Sequence, residues 1–232
     1  MLMSDRKKTY SIWFITIVAL FITCLITSNI IAVKLIEVFG FVVTAAIVIF
    51  PVSYICGDVL TEVYGYRATK RVIWLGFFCN LLAVAAIAIA QQLPGASFWD
   101  GQEAYNRILG YTPRLLLASF LAYLIGEFTN AIVLAKLKVI TGGRYLWMRT
   151  IGSTLVGQGL DSVVFVTIAF LGTIPFPGMG EAIVVQWLFK SIYEILATPL
   201  TYWVVAFLKD REQLDVYDRD LAVNPFKLGE DS

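Results

Sequence analysis

Apolar residues along this chain come in long blocks rather than at the two-residue period of a half-buried strand. Six blocks stand out, at about 12–33, 38–61, 71–92, 114–137, 151–173 and 181–208. Each is long enough for a helix to cross the roughly 30 Å hydrocarbon core of a bilayer. The alternation of apolar and polar positions that marks a membrane β-barrel is absent. The pattern predicts an all-α integral membrane protein. Residues 1–11 form a short N-terminus, 12–208 a six-transmembrane-helix bundle, and 209–232 an acidic, partly disordered tail.

The connections predict an orientation. Cytoplasmic loops of membrane proteins are enriched in Lys and Arg. With the N-terminus inside, the inner segments hold fourteen of the eighteen basic residues, and the outer segments hold Lys34, Arg107 and Arg114. Both termini are therefore expected in the cytoplasm. The apolar start reads as an uncleaved first helix, because no small-residue cleavage site follows it. The outer loop 92–113 carries Phe98 and Trp99, which suit an amphipathic cap at the membrane interface. The outer loop 171–180 has two prolines and three glycines and reads as a tight turn or a lid.

Composition narrows the function. Charged residues make up 15% of the chain, against about 25% in soluble domains. There is no histidine, which removes His-ligated metals and Ser-His or Cys-His nucleophiles. Cys24, Cys56 and Cys79 form no CxxC pair and read as packing residues. The net charge of +1 gives no nucleic-acid footprint. No cofactor or metal is called for. An intramembrane enzyme would need a Ser-Lys or di-Asp arrangement, and Lys190 and Ser191 are sequence neighbours rather than facing groups.

The polar residues inside the blocks demand the most explanation, because charge in a membrane interior is expensive and usually functional. Asp58, Glu62, Glu127, Asp161 and Glu194 are acids within the blocks, and Lys190 is the one base clearly within them. Lys190 and Glu194 are four residues apart and can pair. Glu127, Asp161 and Glu194 fall near the midplane, where carriers bind substrate. Gln158, Asp161 and Phe165 share a face of the fifth helix. Trp187, Lys190 and Glu194 share one of the sixth, and Glu127 lies close to Asn130 on the fourth. On that helix Ala118, Ala122 and Gly126 form a small-residue seam for close helix packing.

Tyr54, Asp58 and Glu62 form a further stripe at four-residue spacing. Two readings of it stay open. In a regular helix, Asp58 and Glu62 form a cytoplasmic gate paired with Arg67 and its basic neighbours. If Pro51 breaks the helix, Tyr54 and Asp58 reach the substrate. Carboxylates and amides beside aromatics suit a flat ligand with N–H donors, such as a guanine-like base; an amine or a sugar would use the same groups.

Five motifs in order resemble one family: SNIIAVK at 28–34, FPVSYICGDVLTEVYGY at 50–66, GEFTNA at 126–131, TIGSTLVGQGLDS at 150–162 and KSIYEILATP at 190–199. Together they are similar to the queuosine-precursor transporters of YhhQ type, in the vitamin uptake transporter group. The resemblance implies a bacterial inner-membrane importer of 7-cyano-7-deazaguanine and 7-aminomethyl-7-deazaguanine. It also implies a fold similar to the substrate-binding components of energy-coupling-factor transporters. It marks Asn29, Asp58, Glu62, Glu127, Asn130, Gln158, Asp161, Lys190 and Glu194 as the polar positions inside matching motifs. With Tyr54, Phe165 and Trp187 for stacking, these make the expected substrate site, and Asn29, Glu62 and Arg67 are expected to gate or support it. The Ala-x-x-x-Ala pattern of components that dock on a shared ATPase module has only Ala19 and Thr23 as a counterpart, which favours a solitary secondary carrier over an ATP-driven system. The expected partners are the base and the lipid bilayer, with proton coupling and a homo-oligomer left open.

Overall fold

The structure is a computed structural model and describes residues 11–38, 41–110, 113–172, 175–219 and 224–225. It is almost wholly helical: α1 (Ile12–Ile31), α2 (Phe50–Val59), α3 (Tyr66–Gln92), α4 (Gln102–Leu109), α5 (Pro113–Ile140), α6 (Leu146–Phe170) and α7 (Phe176–Glu212). The one sheet among the described residues is a hairpin of β1 (Leu35–Val38) and β2 (Phe41–Thr44), antiparallel with Leu35 opposite Thr44 and Val38 opposite Phe41. Five helical segments are long and apolar enough to cross a membrane, namely α1, α3, α5 together with the preceding α4, α6 and α7.

The expected second span, 38–61, is not one helix. Phe41, Val42, Val43 and Thr44 include three β-branched residues in a row, which favour an extended backbone, and they pair as β2. A single 3₁₀ turn, Ala45–Val48, leads into α2, whose first turn contains Pro51. Proline is tolerated there because the first helical N–H groups have no partner to lose. α2 then widens into a π-turn, Leu60–Tyr64, a local geometry often found at functional sites. The chain breaks at Gly65, whose φ of +82° is one that side chains resist.

α2 is the centre of the bundle. Val59, Leu60 and Val63 pack with Phe21 of α1, Val72 of α3, and Val205 and Leu208 of α7. A second apolar cluster joins Tyr66 and Ile73 of α3 to Phe128, Ala131 and Ala135 of α5. Large apolar side chains such as Phe78, Leu82, Leu160, Leu196 and Trp203 face outward. Polar side chains such as Asp58, Ser153 and Gln158 face inward. That inversion is the arrangement a hydrocarbon solvent favours.

The expected small-residue seam is present, and its partner is on α6. A Cβ at Gly157 would lie 2.9 Å from the Asn130 Cβ and 2.9 Å from the Gly126 carbonyl oxygen; one at Gly126 would lie 2.9 Å from the Asp161 Cβ. Ala118 and Ala122 are fully buried along the same helix. Two glycines facing each other let α5 and α6 approach closely, which brings Asn130 and Asp161 against the facing helix.

Two loop expectations are revised. Within the outer loop 92–113 the amphipathic element is α4, which begins after Phe98 and Trp99 rather than at them. Of the loop 171–180, Thr173 and Ile174 lie outside the described residues, and Phe176 to Gly180 already belong to α7. The tail is also more ordered than expected over residues 213–219. Val216 N donates to the Val63 carbonyl at 3.3 Å and Tyr66 N donates to Asp218 Oδ2 at 2.8 Å. The start of α1 and the end of α7 lie at one end of the bundle, where Phe14 packs on Tyr64 and Trp13 on Phe207.

Candidate functional site

A cavity of about 380 Å³ opens between α1, α2, α3, α5, α6 and α7, within the usual size for small-molecule sites. Eight of the expected residues line it: Asn29, Tyr54, Glu127, Gln158, Asp161, Phe165, Lys190 and Glu194. The lining combines the acids Glu127, Asp161 and Glu194 of α5, α6 and α7 with aromatic rings, among them Phe165 of α6 and Phe50 and Tyr54 of α2, the last two in tilted contact at 4.9 Å.

The close α5–α6 crossing and the α6–α7 contact set the polar part of the lining. Lys190 Nζ bonds the Asp161 carboxylate rather than Glu194, its neighbour one turn away. The expected pairing within α7 is therefore replaced by one between helices. Lys190 Nζ also stands 5.0 Å over the Phe50 ring, which adds a cation–π attraction. Glu194 is buried and neither of its carboxylate oxygens has a hydrogen-bond partner. Gln158 is buried with Oε1 unpartnered.

Four expected residues stand outside the cavity lining, besides Glu62. Asp58 lies behind it, fully buried, and accepts a 2.7 Å hydrogen bond from Asn130 Nδ2. Asn130 faces Asp58 and not the cavity. Trp187 leans on the α6 backbone, donating to the Leu155 carbonyl at 2.9 Å and covering Gly159. Arg67 is exposed and borders a second, smaller cavity with the tail residues Val216 to Arg219.

Glu62 does not pair with Arg67, the partner expected of it. Its carboxylate is fully buried and receives Arg149 through two bonds, at 2.7 and 3.2 Å, and Lys209 at 2.8 Å. Lys138 donates to its backbone carbonyl at 2.5 Å. Asp215 of the tail closes the cluster, 2.5 Å from Lys138 and 2.9 Å from Lys209. In Asp215 burial favours the neutral form, but hydrogen bonds from Lys138 and Lys209 outweigh it and hold the carboxyl below its ordinary value. One acid thus ties the π-turn after α2 to the ends of α5, α6 and α7.

Sequence reasoning missed several of these groups. Lys138, Arg149 and Lys209 look like loop charges, because each lies near the end of an apolar block; in the structure Lys138 and Arg149 are buried. Asn80, a polar residue within the third apolar block, was a usable signal. It lines the cavity and accepts a 2.9 Å hydrogen bond from Asn29 Nδ2. Cys24, Cys56 and Cys79 are free thiols, the first two buried in packing positions.

Comparison with known proteins follows the same outline. A family model described as "Putative vitamin uptake transporter" matches residues 44–204. The chain is 29% identical over 178 residues to the "Probable queuosine precursor transporter" of Bacillus subtilis, covering 76% of this chain and 78% of that one. It is 28% identical over 153 residues to the "Queuosine precursor transporter" of Escherichia coli, covering 66% of each. A relative in Haemophilus influenzae with the name "Probable queuosine precursor transporter" is 26% identical over 170 residues, covering 72% of this chain and 70% of its own. No solved structure matches the chain. With more than half its length matched by the family model, and the match running from the hairpin through α2 to α7, the chain belongs to the vitamin uptake transporter family.

Proposed function

We propose that the protein imports queuosine precursors, the 7-deazaguanine bases with a cyano or aminomethyl group, across the bacterial inner membrane. The observation that carries this reading is the cavity, whose lining brings acids and amides together with aromatic rings. Three relatives named as queuosine precursor transporters point to the same ligand.

Glu127 is the acceptor for the two adjacent N–H donors of the guanine-like edge. Asp161 is engaged by Lys190, so Glu127 is the cavity acid better placed to accept a bidentate donor pair. Gln158 and Lys190 supply N–H groups to the ring carbonyl. Tyr54, Phe50 and Phe165 cover the faces, with stacking worth about 1–3 kcal/mol per base.

The chain acts as a solitary secondary carrier with six passes. The second pass is composite: the hairpin, the 3₁₀ turn and α2. Both ends lie in the cytoplasm, where the basic residues gather. A discontinuous helix beside the site is a recurrent feature of carriers, because it exposes backbone groups only where protein surrounds them. Purified protein in liposomes should take up labelled 7-deazaguanine bases, and Glu127→Gln should abolish that uptake. Uptake by Glu127→Gln at the wild-type rate would remove Glu127 from the site.

A further inference from the structure

The buried acids differ in what neutralises them. Glu62 has Arg149, Lys138 and Lys209. Asp161 has Lys190. Asp58, Glu127 and Glu194 have no ion-pair partner among the described residues, and of the three Asp58 and Glu194 also keep buried carboxylate oxygens without a hydrogen bond. Asp58 is 0% exposed and its Oδ2 has no hydrogen-bond partner; Glu194 is 2% exposed and both its oxygens lack one.

α2, which carries Asp58, and α7, which carries Glu194, pack directly on each other, and both acids are buried. The oxygens around them are mostly acceptors: Asn130 Oδ1 and Gln158 Oε1 are also buried without a donor. The hydroxyls of Thr154, Ser162 and Ser191 can each donate once, but a hydroxyl removes no charge. Two ionised carboxyls buried on neighbouring helices in a membrane interior disfavour each other, and each is held neutral most cheaply by a proton. A proton supplies both the missing donor and the missing positive charge. No group of three or more acidic or thiol residues among the described residues could hold a metal ion.

We propose that Asp58 and Glu194 form a proton-binding site and that this proton is the coupling ion of the carrier. The inference rests on the carrier reading above. The proton arrives from the outer side, forms an O–H bond on one carboxyl, and leaves to water at the inner side; no bond of the substrate changes. With a neutral base, each cycle moves one positive charge inward. Glu194 lines the cavity and is open to substrate, whereas Asp58 stands outside the lining. Asp58 is one helical turn from Glu62, which marks the inner end. The other titratable groups near the pair are Tyr54 and Glu62 on the α2 segment, Glu127 of α5, Asp161 of α6 and Lys190 of α7.

The test uses the full chain in sodium-free liposomes with a trapped pH dye and labelled 7-cyano-7-deazaguanine. An inward gradient of one pH unit should drive one-proton accumulation up to about tenfold, and the lumen should acidify only when substrate is present. Asp58→Asn should still bind the base in calorimetry and exchange it across the membrane, but gradient-driven accumulation and acidification should fall to the no-gradient level. Coupling that survives in Asp58→Asn overturns the proposal. So does wild-type accumulation driven by a sodium gradient, or by neither ion. Absence of base binding by the wild type would count against the substrate reading instead. Dicyclohexylcarbodiimide, which modifies protonated carboxyls in apolar surroundings, tests the pair without substrate or mutation. Mass spectrometry should find the label on Asp58 or Glu194, decreasing as pH rises. Label confined to other acids, or absent, overturns the proposal.

Discussion

Asn130 of α5 donates to Asp58 of α2 at 2.7 Å, and both side chains are fully shielded from solvent. The bond joins the short helix at the centre of the bundle to the helix that carries Glu127. It also fixes the amide: with Nδ2 committed to Asp58, Oδ1 is left without a donor. Asn130→Leu removes the one hydrogen bond that the Asp58 side chain makes among the described residues and strands a buried acceptor, at a cost of about 1–3 kcal/mol. The melting temperature in detergent should fall accordingly. Adding Asp58→Asn to that variant should lower it by less than the sum of the two separate changes, because both act on one bond. Strict additivity would show that the two residues are not coupled.

Glu62 is the most heavily partnered acid in the described chain, with one guanidinium and two ammonium groups around it. Removing one partner of a buried ion pair leaves uncompensated charge, typically costing about 3–5 kcal/mol. Glu62→Gln should therefore give the lowest yield of folded protein among single neutralisations of the buried acids. Arg149→Lys should fail to substitute, because an ammonium cannot reproduce the two-bond fork on Glu62. Both are read by the recovered monodisperse fraction and its melting temperature. Wild-type behaviour of Glu62→Gln would mean that Asp215, for Lys138 and Lys209, and the Arg144 carbonyl, for Arg149, suffice for the three bases.

Much of this was legible from the blocks of apolar residues. Five of the six blocks correspond to long helices, and the acids of three of them meet at one cavity. The block 38–61 misled because hydropathy does not distinguish a strand from a helix. Three β-branched residues at 42–44 and Pro51 carried the missing information about backbone shape. Pairing was harder to read than position. Lys190 has Glu194 one turn away on its own helix, yet it meets Asp161 across the α6–α7 contact, and only packing decides between such partners. The same limit applies to Glu62, whose bases come from residues 138, 149 and 209. Trp187 shares a helical face with Lys190 by spacing, but it turns to the Leu155 carbonyl on α6, where its N–H finds an acceptor.

The glycine crossing between α5 and α6 gives a prediction that separates packing from chemistry. A methyl group at Gly157 would meet the Asn130 Cβ and the Gly126 carbonyl oxygen, both at 2.9 Å. Neither neighbour is a flexible side-chain end, so the helices must part. Gly157→Ala should cost about 1–3 kcal/mol through overpacking. It should also reduce uptake, because Gln158 and Asp161 ride on the displaced helix. Gly178→Ala places the same methyl group in open space and should change stability by no more than about 0.5 kcal/mol. Equal effects from the two substitutions would mean that helix propensity, not the crossing, governs the response.

The tail contact has a defined pH dependence. Asp215 is held below its ordinary value of 3.8: burial pushes the other way, and hydrogen bonds from Lys138 and Lys209 prevail. A carboxyl depressed in the folded state contributes stability above its unfolded value and loses it as pH falls through the folded value. The docking of residues 213–219 should therefore persist through neutral and mildly acidic pH and weaken only below 3.8. Amide hydrogen exchange of Val216 reads this directly, since its N–H bonds the Val63 carbonyl. Protection there should hold from pH 7 to pH 5 once the intrinsic exchange rate is corrected. Asp215→Asn should lose most of that protection at every pH, because Lys138 and Lys209 no longer meet a charged acceptor in the tail. Protection in Asp215→Asn equal to wild type would place the docking energy in Val216 and Asp218 instead. Val216 packs against Gly65, and Asp218 accepts from the Tyr66 N–H at 2.8 Å.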